Sequence, residues 1–223
     1  MAGSWEILNI EQNNPRVLVA TLTRELVTTA WAMHFRQLII PHGTFTMLSG
    51  MPFGMARDTA CQKLLELGWE YLFFLDDDVG CPPDTIQRLM RHKLPIVSGV
   101  YYRRMNPLTP VMLKNSPSGP QWITEYPINT LLDVDFVGAG CLLIHREVIE
   151  KFPHPSPNEK WFQWRCNHYD KPHLERVSED FAFCKDVREK MGLKIFVDTS
   201  IQCKHIGLCE SSIEGFKPLE LKT

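Results

Sequence analysis

No stretch of this sequence is long and apolar enough to cross a membrane. The strongest apolar runs, Leu38–Pro41, Tyr71–Leu75 and the glycine-interrupted Phe136–Ile144, fall well short of the roughly 20 residues that a spanning helix needs. The N-terminus lacks a basic segment followed by an apolar one, so no secretory leader is expected. Basic excess is missing too. With 24 Lys and Arg against 26 Asp and Glu, the formal net charge is −2, and no global field draws the chain onto nucleic acid or an anionic membrane, although a local patch is compatible with that balance. The seven cysteines (Cys61, Cys81, Cys141, Cys166, Cys184, Cys203, Cys209) contain no CxxC pair. Their odd number and their places inside apolar runs point to reduced core thiols and a cytoplasmic protein. A Walker A loop, a GxGxxG fingerprint, internal repeats and low-complexity blocks are all absent.

What is present reads as one α/β domain. At 223 residues, 44% hydrophobic and 22% charged, the chain is long enough for one well-buried core and short for two. Arg16–Leu22 is a β-branched apolar run and predicts a buried strand, Glu25–Ile40 has near-helical apolar spacing, and Thr44–Leu48 predicts a second strand. Met55–Leu67 predicts a helix with Cys61, Leu64 and Leu65 on one face and Gly68 as its C-terminal cap. Trp69–Leu75 is a third strand, a helix runs from Pro82-Pro83-Asp84 to His92, and Ile96–Tyr102 is a fourth strand. This alternation predicts a mostly parallel sheet covered on both faces. Beyond it the expectations are loop and short extended pieces over Asn106–Pro127, a strand over Val134–Ile144 and a short helix Glu147–Phe152. A proline-rich loop over Pro153–Asn158, a helix Ser178–Met191 stopped by Gly192 and a last strand Lys194–Asp198 complete the pattern.

The chemistry begins at Asp76-Asp77-Asp78, directly after Tyr71-Leu-Phe-Phe-Leu75. Three adjacent carboxylates repel one another unless something neutralises them, and ligands of open parallel sheets sit at the carboxyl ends of the strands. If the strand continued, alternation would send Asp76 and Asp78 to one side and Asp77 to the other. Two carboxylates on one side make a hard oxygen half-site for Mg²⁺ or Mn²⁺, completed by phosphates. The plainer reading is a solvated acidic turn before the next helix, a capping role that Asp84 fills better. Position after a buried strand favours the metal.

The run from Leu65 to Val79 resembles the segment leading to the DxD motif of glycosyltransferases of the GT-A fold, especially the family 2 type. Other pieces resemble that family in order. Ala20-Thr-Leu-Thr-Arg24 ends the first strand, and Ala56-Arg57-Asp58 resembles an Ala-Arg-Asn segment, with aspartate where asparagine is usual. Val134–Ile144 resembles the glycine-containing strand beside donor and acceptor, Ser178-Glu179-Asp180-Phe181 the Glu-Asp pair at a helix start, and Cys203-Lys-His205 the histidine after the last strand. The resemblance spans about residues 16–207. It implies a GT-A domain with a nucleotide-binding half over about 16–104 and an acceptor and catalytic half over about 105–210. It also implies transfer of a sugar from a nucleotide-diphosphate sugar to an acceptor hydroxyl with Mn²⁺ or Mg²⁺.

By that resemblance Asp78, Asp76 and His205 are the metal set, with Asp76 also near the ribose and Asp77 supporting the nucleotide. Thr21, Thr23, Arg24, Arg57 and Asp58 would contact base, ribose or diphosphate, and Gly138 and Gly140 would let backbone approach the donor sugar. Asp180, beside Glu179, would be the base of an inverting displacement. Each has a bland counterpart: His205 packed at a strand end, Glu179 and Asp180 complementing a helix dipole, Arg57–Asp58 as a surface pair, and the glycines as a strand bulge.

Other groupings compete. Cys166, His168, His173, Cys203, His205 and Cys209 assemble into a zinc site only on paper. Trp161-Phe-Gln-Trp164 with Arg165, His168 and Tyr169 is a folded lid, a core edge or an acceptor platform, and Tyr101-Tyr-Arg103-Arg104 is placed to meet phosphates or acceptor. Acceptor recognition falls to loops 104–130 and 153–177, and the acceptor classes are a glycan, a lipid-linked sugar or a hydroxylated DNA base, the last drawn by Arg103, Arg104, Lys160 and Arg165. A nucleotide-sugar-binding protein without turnover and a metal-dependent nucleotidyltransferase are the alternatives.

Overall fold

A computed structural model describes residues 14–154, 160–166, 176–207, 209–213 and 215–218. The first part runs β1 (Val17–Thr23), α1 (Thr29–Gln37), β2 (Gly43–Ser49), α2 (Phe53–Leu67), β3 (Tyr71–Leu75), β4 (Val79–Gly80), α3 (Thr85–Arg91) and β5 (Ile96–Val100). Next come β6 (Met112–Ser116), β7 (Gly119–Trp122), β8 (Leu131–Val134), β9 (Phe136–Val137), β10 (Cys141–His145) and α4 (Arg146–Glu150). The last part holds β11 (Arg165–Cys166), β12 (Arg176–Val177), α5 (Glu179–Met191), β13 (Ile195–Gln202), β14 (Lys204–His205), β15 (Cys209–Ser212) and β16 (Gly215–Pro218).

The centre is a seven-stranded sheet in the order β2-β1-β3-β10-β5-β13-β8. Five strands point one way, and β10 and β8 run against their neighbours. Every residue of β1, β3 and β5 is buried, as unbroken apolar runs in a doubly covered sheet must be. One face packs under α2, α4 and α5, with Leu18, Ala60, Leu64, Val148 and Phe183 in its core. The other packs under α1 and α3, with Val19, Phe73, Ile86 and Leu89. Gly68 and Gly192 end α2 and α5 in the left-handed conformation, as expected from the sequence.

Four expectations are corrected. The helix expected over Glu25–Ile40 begins only at Thr29, because Glu25 takes φ +86° and the Thr28 hydroxyl accepts from Trp31 N–H at 3.1 Å, capping the helix there. Asp84 makes no side-chain cap on α3; its carboxylate lies 3.7 Å from Arg88 instead. The strand expected over Val134–Ile144 is three strands, since the chain leaves the sheet at Asp135, pairs β9 with β6 in a separate three-stranded sheet, turns at Gly138–Gly140 and re-enters as β10. The last strand continues past Asp198 to Gln202 and leads into a small sheet β16-β15-β14-β4. That small sheet pairs His205 with Val79 and so carries the far end of the chain to the acidic turn.

Candidate active site

At the carboxyl ends of β1, β3 and β5 lies an open cavity of about 580 Å³, the place where an open α/β sheet offers its loops to a ligand. Leu22, Leu26 and Phe53 give it an apolar side, and Asp76, Asp77, Asp78, Arg24, Arg103, Arg104 and His205 a charged one. All three aspartates face it. The alternation expected to turn Asp77 away does not operate, because β3 ends at Leu75 and the chain turns, with Val79 N–H donating to Asp76 O at 3.0 Å. Trp31 Nε1 donates to the same carbonyl at 2.9 Å, fixing the turn against α1.

Asp78 is held by the small sheet. Ile206 N–H donates to its carbonyl, and its Oδ2 lies 3.3 Å from His205 Nε2 and 3.1 Å from Arg104 Nη2. Burial works to raise the Asp78 pKa, but His205 and Arg104 outweigh it and hold the carboxyl below its ordinary value. His205 Nδ1 lies 2.6 Å from Tyr102 O, so that nitrogen carries the proton. The Tyr102 carbonyl thereby orients the ring so that Nε2 faces the Asp78 carboxylate. Asp78 and His205 therefore fit a divalent metal: a hard oxygen and an oriented imidazole nitrogen converge at a spacing compatible with two ligands of one ion.

Asp76 does not complete that set. Its two oxygens accept from Arg57 Nη2 at 3.0 and 3.2 Å, and among the described residues no group of three His, Cys, Asp or Glu side chains is assembled to hold a metal. Arg57, expected to reach diphosphate or Asp58, is buried against the rings of Phe74 and Phe162, with its guanidinium 5.0 and 6.0 Å from their centroids. Its Nε donates to Glu179 at 3.4 Å and its Nη1 to Ala139 O at 3.4 Å. Burial alone would lower the Arg57 pKa, yet Asp76, Glu179 and Asp180 drive it up, so the guanidinium stays charged. Burial raises the Asp76 carboxyl, and Asp78 and Asp180 add to that against the pull of Arg57. Glu179 is raised by burial and by Asp180. Asp180 lies in the first turn of α5, its Oδ1 accepting from the Ser178 hydroxyl and, at 2.8 Å, from Phe181 N–H. Its charge is felt at Asp76 and Tyr101, although its side chain is not among those lining the cavity.

At the end of β1, Arg24 lies over the Phe53 ring at 5.4 Å. Thr23 sits beside Asp77, whose carboxyl is raised by burial and by Asp78. The Thr21 hydroxyl is buried with no hydrogen-bond partner among the described residues.

Asp58, Gly138 and Gly140 do not line the cavity. Asp58 accepts from Phe162 N–H at 2.9 Å and Gln163 Nε2 at 3.0 Å, anchoring the 160–166 segment to α2 rather than facing the cavity. Burial pushes its pKa up to about 6. Gly138 and Gly140 make room for this chain's own Tyr101: a Cβ at Gly138 would stand 1.9 Å from the Tyr101 hydroxyl, and one at Gly140 would stand 2.9 Å from the ring. Gly140 N–H donates to that hydroxyl at 3.2 Å. Leu22, Leu26 and Phe53 were not singled out as cavity residues by the sequence, whereas Tyr101 was, with Tyr102, Arg103 and Arg104, placed to meet phosphates or acceptor. Of the competing zinc set, His168 and His173 and the side chains of Cys166 and Cys209 lie outside the described residues, as does Tyr169 of the aromatic stretch. Within that stretch Trp161 and Phe162 are core, Phe162 stacking on Phe183 at 4.4 Å, while Trp164 is exposed.

No protein-family model matches the chain, and no curated protein matches it. Among solved structures, A197 from STIV is similar at a TM-score of 0.65, with 18% identity over 92% of this chain and 94% of A197. GalNAc-T7, crystallised with UDP, GalNAc and Mn²⁺, is similar at a TM-score of 0.52, with 10% identity over 88% of this chain and 45% of its own. The chain thus spans less than half of GalNAc-T7. These likenesses establish the fold, which is of the GT-A type that the sequence pieces resembled.

Proposed function

We propose that the protein is a metal-dependent glycosyltransferase that moves a sugar from a nucleotide-diphosphate sugar to an acceptor hydroxyl. The observation that carries this reading is the composition of the cavity at the strand ends, where an apolar wall faces three carboxylates, a histidine and three arginines. Such a site suits a flat base on one side and a metal-bridged diphosphate on the other. The fold shared with GalNAc-T7, whose crystals hold UDP, GalNAc and Mn²⁺, supports the same ligand classes here.

In this reading Leu22, Leu26 and Phe53 seat the base, and Asp77, Thr21, Thr23 and Arg24 hold the nucleoside at the end of β1. Asp78, from the DxD-type segment Asp76–Asp78, and His205 would hold Mn²⁺ or Mg²⁺, and the cation would supply Lewis-acid neutralisation of the leaving diphosphate. Asp76 orients the ribose side with its carboxylate fixed by Arg57. Glu179 serves as counter-charge to Arg57. Asp180, pinned by Ser178 and Phe181, takes the proton from the acceptor hydroxyl as the sugar inverts, a role worth about 10²–10⁴ in rate. Loops 104–130 and 153–177 frame the acceptor, a glycan, a lipid-linked sugar or a hydroxylated base.

Incubating the protein with Mn²⁺ and a panel of nucleotide sugars tests the reading. Slow release of free sugar with nucleoside diphosphate is expected in the absence of acceptor. Pyrophosphate release would identify a nucleotidyltransferase instead, and donor binding with no turnover a binding protein. Asp78→Ala abolishes metal-dependent donor binding, while Asp180→Asn keeps donor binding and loses transfer. Unchanged turnover in the Asp78 variant overturns the assignment.

A further inference from the structure

Arg104 stands where the charge balance of the cavity is decided. It is about two-fifths exposed, yet its guanidinium is seated rather than loose. Nη2 lies 3.1 Å from Asp78 Oδ2, and Nη1 donates to Ile206 O at 3.4 Å. Gly207 leaves the space for it, since a Cβ there would come 2.5 Å from Nη1 and 3.4 Å from Cδ. The oxygen that Arg104 contacts is also the one that faces His205 Nε2. A divalent cation between Asp78 and His205 and the Arg104 guanidinium therefore compete for one carboxylate oxygen. Two positive groups against that oxygen repel each other strongly in a half-buried site.

We infer that Arg104 is a built-in counter-cation of Asp78, which a divalent metal displaces, and that the released guanidinium becomes a ligand for the phosphate groups of the nucleotide. Arg104 already lines the cavity with Asp76, Asp77 and Asp78, so a change of side-chain rotamer transfers its charge from a carboxylate to a diphosphate without moving backbone. A guanidinium suits both partners, because its planar fork matches carboxylate and phosphate geometry alike. Metal and diphosphate then bind with positive coupling through one side chain: the metal frees the arginine that the phosphates need. The inference rests on the metal reading of Asp78 and His205.

Two substitutions separate the parts. Arg104→Ala removes the charge, whereas Gly207→Ala keeps it and pushes the guanidinium off its seat, a shift that the exposed end of a flexible side chain absorbs. Titration of Mn²⁺ alone, followed by electron paramagnetic resonance of the free ion, is expected to show both variants binding Mn²⁺ roughly tenfold tighter than wild type or more. Titration of UDP in saturating Mn²⁺ should then divide them. The Gly207 variant binds UDP at least as well as wild type, while the Arg104 variant binds it about tenfold more weakly. Circular dichroism confirms that each variant is folded. If wild type binds Mn²⁺ through Asp78, as loss in Asp78→Ala would establish, but Arg104→Ala leaves that affinity unchanged or weakened, the Arg104 inference is overturned and the metal reading stands. If Mn²⁺ binds neither wild type nor Arg104→Ala, the metal reading fails and this inference falls with it.

Discussion

Arg57 shows at the scale of one residue how much a single side chain organises. It is 3% exposed, and it ties the acidic turn (Asp76), the start of α5 (Glu179) and the glycine turn (Ala139 O) to one guanidinium. Removing one partner of a buried ion pair costs about 3–5 kcal/mol, because the other charge is left without compensation. Arg57→Met should lose stability of that order in urea unfolding, and Arg57→Lys should recover only part of it, since an ammonium cannot make the forked contact. Asp58 yields a different prediction. Its pKa of about 6 in the fold exceeds the ordinary 3.8, so between these values the folded state keeps a proton that the unfolded chain releases. Its contribution to stability is therefore full below about pH 4 and is lost as the pH rises through 6. Asp58→Asn cannot titrate, so the wild-type advantage over the variant in urea midpoint should shrink from pH 4 to pH 6. The sequence placed Arg57 and Asp58 near the start of a helix, but the partners they take in the fold were not readable from it. Adjacent helix positions point in different directions, and the partners lie 19, 104 and 122 residues away, where no local pattern reaches.

Elements were legible where periodicity ran unbroken. The apolar run of β3, the helix α2 with Gly68, and α5 with Gly192 were all readable from local signals. The stretch from Val134 to Ile144 was not, because its hydrophobicity is continuous while its backbone is not: β9 and β10 belong to different sheets. The two-residue strands β4 and β14 are too short to leave any alternation, so the sheet that brings His205 to Asp78 was invisible although His205 itself was picked out. The turn between β9 and β10 makes a sharp test. Gly138→Ala drives a methyl into the Tyr101 hydroxyl, and overpacking of this kind costs about 1–3 kcal/mol. In a Tyr101→Ala background the same substitution should cost much less. Equal penalties in both backgrounds, measured by chemical unfolding, would show that Tyr101 is not what the glycine accommodates.

For the molecule as a whole, the sequence conveyed the layer order and the place of the acidic turn, while the strand order of the sheet is a tertiary fact. The expected halves, about 16–104 and about 105–210, are not separable layers. β10, from the later half, lies between β3 and β5 from the earlier one and hydrogen-bonds to both. Cutting the backbone after Arg104 therefore removes a stave from the middle of a barrelhead. The piece 1–104 cannot close its own sheet, since Leu72–Leu75 and Ile96–Ser98 lose the partner they share. Each piece alone should give the amide exchange of an unfolded chain, and mixing the two should restore protection in β3, β5 and β10 together. Inheritance of this architecture is thus indivisible: loops at its rim are free to diverge, but the stretch carrying the acidic turn cannot be lent to another protein without Cys141–His145.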